Sequence, residues 1–252
     1  MPGIATYVAL GDSFTEGVGD PYPDGSLQGW ADRFATELQT AVPGLRYANL
    51  GIRGKLLSQV ITDQVPVAVR LAPDLVTLAA GGNDLLRRKA DPAAMAAAFE
   101  LGVSALRAAG SQVMVFTGFN LSRIPLAGLV RDRIVGYNTL LADIARRHDC
   151  LHVDLWSMSV LADSRLWCTD RLHLGPDGHR RVALRVCEVA GLPVRDDWRE
   201  PLPAITRPRW LRARRDDLRW AREYAGPWVQ RRLRGVSSGD GLSPKRPDLL
   251  PL

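Results

Sequence analysis

The sequence has little cysteine and no apolar run long enough to cross a bilayer. Its three cysteines, Cys150, Cys168 and Cys187, are odd in number and widely spaced, which excludes a disulfide framework and a Cys-x-x-Cys motif and favours a reducing compartment. No stretch approaches the roughly 20 consecutive apolar residues of a membrane span, and no basic and apolar leader precedes the first predicted strand. We therefore expect a soluble, cytoplasmic protein.

Motifs that bind cofactors are also missing. The chain contains neither a Gly-x-Gly-x-x-Gly fingerprint nor a Gly-x-x-x-x-Gly-Lys loop, the two patterns that indicate a bound nucleotide. Histidine, cysteine and carboxylate residues do not cluster at the spacings of metal ligands. The sequence thus predicts a protein that uses no cofactor and no metal.

The net charge of +6 belongs to one segment of the chain. Residues 1–198 hold 20 basic and 21 acidic side chains, whereas residues 199–234 hold 11 arginines and four acidic residues. Arginine outnumbers lysine by 30 to 3, and it does so in the balanced part as well, so the excess does not indicate phosphate recognition. We expect no nucleic-acid partner.

The basic segment also carries Trp210, Trp220 and Trp228 at near-helical spacing. A helix of this composition can pack its tryptophans against the rest of the protein and leave its arginines in water. It can also lie in a lipid interface. We favour packing and keep weak contact of residues 199–234 with a membrane surface as the alternative.

Short apolar runs alternate with longer segments of helical period, which predicts an α/β protein with a parallel sheet covered on both faces. Five strands are predicted at 6–10, 46–50, 75–80, 112–117 and 151–154, and helices near 30–40, 56–70, 91–109, 129–147 and 176–190. We expect a three-layer α/β/α domain with a five-stranded parallel sheet over residues 1–192. A C-terminal basic helical appendage over 193–234 and a disordered tail over 235–252 follow it.

Ligands of such sheets bind beyond the carboxyl ends of the strands, and residues with useful chemistry follow three of them. Ser13 follows the first strand in the turn Gly-Asp-Ser, where its hydroxyl can act as a nucleophile. Gly54 follows the second strand and Asn83 the third, and a backbone N–H and a side-chain amide can both stabilise an oxyanion. Taken singly, each of these residues is also consistent with an ordinary turn.

Among the four histidines, only His173 has a carboxylate at a spacing that can orient it. Asp170 lies three residues upstream, in the loop between the fifth strand and the last helix. It can accept a hydrogen bond from one ring nitrogen while the other nitrogen faces a serine. The remaining histidines lie in a predicted strand, in the last helix or at a helix end, where we expect structural roles: His148, His152 and His179.

The order of these motifs resembles the SGNH hydrolase superfamily, also called GDSL esterases and lipases. Residues 11–13 match its first block, Gly54 its second, 81–84 its third and 170–173 its fifth. The resemblance covers about residues 5–191 and implies a flavodoxin-like fold. It further implies a triad of Ser13, Asp170 and His173, and an oxyanion hole formed by Ser13 N–H, Gly54 N–H and the Asn83 amide.

The resemblance implies a serine esterase that hydrolyses carboxylic esters of small or lipid-like molecules through an acyl-serine. A deacetylase of acetylated carbohydrate and a thioesterase on the same site remain open. So does a protein of another class, a non-catalytic binding or peripheral-membrane protein that uses its basic helix. No residue can be assigned to the substrate. Phe14, Tyr22, Trp30 and residues 119–125 could line a pocket, but we favour ordinary packing for them.

Overall fold

The structure, a computed structural model, describes residues 3–120, 128–204, 219, 222–223 and 237–252. The helices within these residues are α1 (Ser13–Glu16), α2 (Gly29–Ala41), α3 (Leu57–Gln59), α4 (Val65–Leu71), α5 (Gly82–Leu85), α6 (Pro92–Ala108), α7 (Gly128–Arg147) and α8 (Pro176–Val189). A π-helical turn, Val60–Gln64, joins α3 to α4, so the helix predicted over 56–70 is one irregular rod.

The described residues form one sheet with the strand order β5-β4-β3-β1-β2-β6. Its strands are β1 (Thr6–Gly11), β2 (Arg46–Asn49), β3 (Leu75–Ala79), β4 (Gln112–Phe116), β5 (Leu151–Val153) and β6 (Arg246–Pro251). The first five are parallel and end within one residue of their predicted bounds. The prediction of an α/β protein with a parallel sheet is therefore confirmed for these strands.

The sixth strand corrects two predictions, the five-stranded sheet and the disordered tail over 235–252. β6 pairs antiparallel with β2, with Arg46 opposite Pro251 and Tyr47 opposite Leu250. Two prolines make this segment unlike a strand by sequence, but an edge strand tolerates proline because only one of its sides is hydrogen-bonded. Leu249, a residue of this strand, is buried in the hydrophobic core. The sheet is therefore mixed and six-stranded.

Helices cover both faces of the sheet, because successive residues of a strand point to opposite faces. Tyr7 and Ala9 of β1 pack on one face against the apolar sides of α2 and α8. Val8 and Leu10 pack on the other face against α3, α4, α6 and α7. The three-layer α/β/α prediction is confirmed, and the loops beyond the carboxyl ends of the parallel strands are held between the two helical layers.

The chain continues to pack on α8 beyond residue 192. Trp198 is buried, its Nε1 donates to Glu188 Oε2 at 2.7 Å, and Arg199 lies over its ring at 4.1 Å. Arg181, inside α8, donates to the carbonyl oxygens of Trp198 and Glu200. Residues 193–200 are thus tied to α8 by side-chain and backbone contacts.

Residues 193–204, the first part of the predicted helical appendage, form turns and irregular backbone and no helix, which corrects the prediction there. Most of residues 205–234 lie outside the described residues. This includes Trp210, Trp220 and Trp228, so whether they pack on the body or meet a membrane stays a prediction. Among the helices that the structure does describe, none has both the length and the apolar character needed to cross a membrane.

Candidate active site

The turn after β1 places Ser13 at the carboxyl edge of the sheet, as the first residue of α1. Gly11 leaves no room for a side chain, since a Cβ there would collide with the Ala79 carbonyl oxygen. The Gln64 side chain binds both backbone groups of Gly11, accepting from its N–H at 2.8 Å and donating to its carbonyl at 2.9 Å. Asp12 caps α1 by accepting from Phe14 N–H at 3.1 Å. These contacts fix the direction of the Ser13 side chain.

The structure brings Ser13, His173 and Asp170 into one line of contacts. His173 Nε2 lies 3.1 Å from Ser13 Oγ, and His173 Nδ1 lies 2.6 Å from Asp170 Oδ2. An ionised carboxylate can only accept a hydrogen bond, so Nδ1 carries the ring proton and Nε2 accepts from the serine hydroxyl. This arrangement can remove the serine proton as the oxygen attacks an electrophile.

Asp170 stays ionised because several donors surround it. Its Oδ1 accepts from the backbone N–H groups of Leu172 and His173, at 2.9 and 3.0 Å. Burial by itself raises the pKa of Asp170, but the hydrogen bond and charge of His173 and these two N–H groups outweigh it, so the pKa lies below its usual value. Asp170 can therefore support a positive charge on the imidazole.

Backbone contacts hold the loop that carries His173. Cys168 N–H donates to the His173 carbonyl at 2.8 Å, and Gly175 N–H donates to the Leu166 carbonyl at 2.8 Å. Between them Trp167 and Leu174 form an isolated antiparallel bridge. Leu174 itself is buried in the core below the loop. The imidazole is thus mounted on a tight hairpin-like turn.

Asn83 and Gly54 lie at the same edge of the sheet as Ser13. Asn83 Nδ2 donates to the Lys55 carbonyl at 3.0 Å and to Asp12 Oδ2 at 3.2 Å. Gly54 has a φ of +75°, a left-handed conformation that favours glycine. Together with Ser13 and His173, both residues line one cavity of about 730 Å³. The predicted donors and the predicted nucleophile therefore face a common space.

The model of the GDSL-like lipase/acylhydrolase family matches residues 9–181, more than half of the chain. The chain belongs to this family. It is accordingly a serine hydrolase of the SGNH type that acts on ester bonds, as its motifs predicted. No curated protein matches it.

Several solved structures have a fold similar to that of this GDSL-like hydrolase. It is similar to LAE5, an alpha/beta hydrolase from the metagenome of Lake Arreo in Spain, with 22% identity over 74% of this chain and 95% of that one, at a TM-score of 0.64. It is similar to Axe2, an acetylxylan esterase from Geobacillus stearothermophilus, with 20% identity over 79% of this chain and 97% of that one, at a TM-score of 0.62. It is also similar to TesA, with 20% identity over 73% of this chain and 97% of that one, at a TM-score of 0.62. At these identities the likeness concerns the fold.

Two carboxylates of the GDSL-like hydrolase, Glu16 and Asp12, support the site although no motif points to such a role. The Glu16 side chain, 10% exposed, accepts from Arg53 N–H at 2.6 Å and from Arg53 Nη2 at 2.7 Å. It thereby fixes the loop that carries Gly54. Burial raises the pKa of Asp12 to about 6, against the lowering effects of Phe14 N–H and the His173 charge. The sequence signal that could have pointed to Glu16 and Asp12 is their position as acidic residues in a turn of small and apolar residues.

The other histidines make different contacts. His179 is fully buried, and its Nδ1 accepts from Trp30 N–H while its Nε2 lies 3.1 Å from the Val18 carbonyl. Burial lowers the pKa of His179 to about 4, which keeps the ring neutral. His148 faces Glu100 at 2.8 Å, and His152 lies in β5. In the described ranges no group of three or more His, Cys, Asp or Glu side chains could hold a metal ion.

Aromatic and aliphatic residues line the part of the cavity beyond β3, β4 and β5. Phe119 lies 5.1 Å from Phe14 and 5.4 Å from Trp167, measured between ring centroids, and all three rings line the cavity. Trp30, by contrast, is fully buried in the core, and the Tyr22 hydroxyl donates to Asp32 at 3.4 Å. Of the predicted pocket candidates, Phe14 and Phe119 thus reach the cavity, and residues 121–125 lie outside the described residues.

Proposed function

We propose that this GDSL-like hydrolase is a serine esterase that cleaves carboxylic esters of small or lipid-like molecules through an acyl-serine intermediate. Ser13 is the nucleophile, His173 the general base and Asp170 the residue that orients it. The observation that carries the proposal is the pair of contacts at 3.1 and 2.6 Å that joins the three side chains.

The proposed reaction follows from the protons on Ser13 Oγ and on the two ring nitrogens of His173. Ser13 Oγ attacks the ester carbonyl while its proton passes to His173 Nε2. Ser13 N–H, Gly54 N–H and the Asn83 amide stabilise the negative oxygen of the tetrahedral intermediate. For this the Asn83 Nδ2 exchanges its 3.2 Å hydrogen bond to Asp12 for one to the oxyanion. When the ester C–O bond breaks, the proton on Nε2 goes to the leaving alcohol. Water then gives a proton to His173 Nε2 and attacks the acyl carbonyl carbon. When the bond from this carbon to Ser13 Oγ breaks, the acid leaves and the proton returns from Nε2 to Ser13 Oγ.

The apolar part of the cavity supports an acyl chain as its occupant. Leu85, Phe119, Ile134 and Trp167 line this part, and apolar burial stabilises a bound chain by roughly 0.8 kcal/mol for each buried methylene. Esters with several methylenes are therefore expected to have a higher kcat/KM than acetates. Acetylated carbohydrate and thioester substrates remain as alternatives on the same site.

The test combines a nucleophile variant with a substrate panel. Ser13→Ala should abolish labelling by a fluorophosphonate and lower kcat by at least about a thousandfold, with little change in melting temperature. Ser26→Ala, on an exposed loop, is the matched control and should label like the wild type. Labelling that persists in Ser13→Ala would place the nucleophile elsewhere.

The panel consists of p-nitrophenyl esters of increasing acyl length, an acetylated xylooligosaccharide and an acyl thioester. We expect the highest kcat/KM on a p-nitrophenyl ester longer than the acetate. A clear preference for the acetylated sugar, or for the thioester, would instead select the corresponding alternative.

A further inference from the structure

The last described segment of the chain, residues 237–252, forms a strap beside the active site. It lies beyond residue 181, where the match to the family model ends. Its strand β6 is joined to β2 by pairing and by side chains, since Arg46 donates to the Leu249 carbonyl at 2.7 Å and Arg246 donates to the Tyr47 carbonyl at 2.8 Å. Leu249 anchors the strap in the core. The strap is therefore a built part of the domain.

Lys245 fixes the strap a second time, just before β6. Its Nζ donates to the carbonyls of Leu27 and Gln28, at 2.9 and 2.6 Å, and lies 2.9 Å from Asp32 Oδ1. The Lys245 side chain is 19% exposed and that of Asp32 12%, so this ion pair is largely shielded from water. A shielded pair with further hydrogen bonds holds its geometry better than a surface pair.

The strap begins with a turn that lies directly on the oxyanion-hole loop. Within the turn, Ser237 N–H donates to Asp240 Oδ2 at 2.8 Å and Gly239 N–H donates to Ser237 Oγ at 3.2 Å. A Cβ added to Gly54 would collide with Ser237 Oγ, and one added to Gly239 would collide with the Arg53 carbonyl oxygen. The turn and the 53–54 loop are thus in van der Waals contact, with no space for substrate between them.

The strand order separates two chemically different sides of the cavity. Leu85, Phe119 and Trp167 of the lining follow β3, β4 and β5, whereas Gly54 follows β2 and the strap turn precedes β6, at the opposite end of the sheet. On this second side the residues that line the cavity include Ser237, Ser238 and Asp240, whose side chains carry hydroxyl and carboxylate groups. Among the described residues, Ser237 Oγ takes part in one hydrogen bond, which it accepts from Gly239 N–H. The Ser237 O–H is therefore free to donate to a ligand.

We propose that the strap is a fixed wall of the substrate pocket and that Ser237 is a specificity-determining residue. Its hydroxyl binds an oxygen-bearing group of the substrate close to the oxyanion hole. The class of substrate this selects is an ester whose alcohol or acyl part is compact and carries a hydroxyl near the ester bond, such as a glycerol ester or a hydroxyacyl ester. This inference rests on the esterase function proposed above.

The experiment compares esters that differ only in hydroxyl groups. One pair is glycerol monobutyrate and propyl butyrate, and the other is propyl 3-hydroxybutyrate and propyl butyrate. For each pair the ratio of the two kcat/KM values is measured in the full-length wild type, in Ser237→Ala and in Ser243→Ala. Ser243 is an exposed serine of the same strap that does not line the cavity, so its variant is the matched control.

We expect Ser237→Ala to lower the ratio of at least one pair by about three- to tenfold, the usual effect of one lost hydrogen bond, while Ser243→Ala leaves both ratios unchanged. Unchanged ratios in a Ser237→Ala protein that still reacts with fluorophosphonate would overturn the proposal. An equal fall in both variants would overturn it as well. If fluorophosphonate does not label the wild type, the esterase proposal itself is refuted. Failure of the esterase proposal and failure of the Ser237 proposal are therefore distinguishable.

Discussion

Replacing Asp170 by asparagine separates the electrostatic role of this residue from its structural one. In Asp170→Asn the carbonyl oxygen can still accept from the N–H groups of Leu172 and His173, as Oδ1 does now. The group that faces His173 Nδ1 becomes an amide NH₂, which donates. His173 must then accept at Nδ1 and carry its proton on Nε2, where it can no longer accept the proton of Ser13.

The size of the effect follows from this change of tautomer. The same substitution in a serine-protease triad lowers kcat by about 10⁴, and we expect a loss of about 10³- to 10⁴-fold here, with KM little changed. Melting temperature should hardly move, because the two backbone hydrogen bonds of the loop are kept. Asp170→Ala removes these as well and should cost a further ~1–3 kcal/mol of unfolding free energy.

The assay is steady-state hydrolysis of a p-nitrophenyl ester together with calorimetric melting of both variants. If Asp170→Asn keeps more than about a tenth of the wild-type kcat, orientation of His173 by Asp170 is not what the site needs. Activity losses that merely follow the losses of stability in the two variants would refute the reasoning too.

Three other predictions concern His179, Glu16 and Trp198. Because burial lowers the pKa of His179 to about 4 and an unfolded histidine titrates near 6.5, unfolding takes up a proton between these values. Urea denaturation should therefore show unfolding free energy at its full value above pH 6.5 and falling by up to ~3 kcal/mol toward pH 4, with a shallower fall in His179→Asn; equal slopes would contradict this. Glu16→Gln should lower kcat by about tenfold or more by loosening the Gly54 loop, whereas Glu37→Gln, on the exposed side of α2, should not; equal kcat values in the two variants would contradict the link to Arg53. Trp198→Ala should lower unfolding free energy by ~3–5 kcal/mol in urea, and a change below ~1 kcal/mol would mean that residues 193–200 are not part of the folded unit.

The parallel strands were predictable because each is a short apolar run bounded by turn residues. β6 was not, since Pro247, Asp248 and Pro251 read as a loop and the strand exists only where β2 offers an open edge. The helix over 56–70 was predicted, but its irregular turn was not. Pro66 lacks the N–H that would donate to Thr62. The structure has the π-helical turn just before it, and Gln64, which binds Gly11, ends this turn.

The residues of the site were predicted from the order of the motifs, but the distances between their side chains could not be predicted. Ser13 and His173 are 160 residues apart, and nothing local dictates their contact. It depends on the place of β1 in the middle of the sheet. The pairing of Glu16 with Arg53 has the same origin, because β2 lies beside β1 only in the folded sheet.

The pairing of β6 with β2 also bears on how the chain is made. Arg46 and Leu249 are 203 residues apart in sequence, so during synthesis the free side of β2 stays without its partner until that whole length has left the ribosome. A contact of this range is slow to form, and an unpaired strand edge is a template for association with other chains. Nascent chains of this protein therefore pass through a period in which β2 needs shielding, and a chaperone that binds extended edges would raise the yield of folded enzyme.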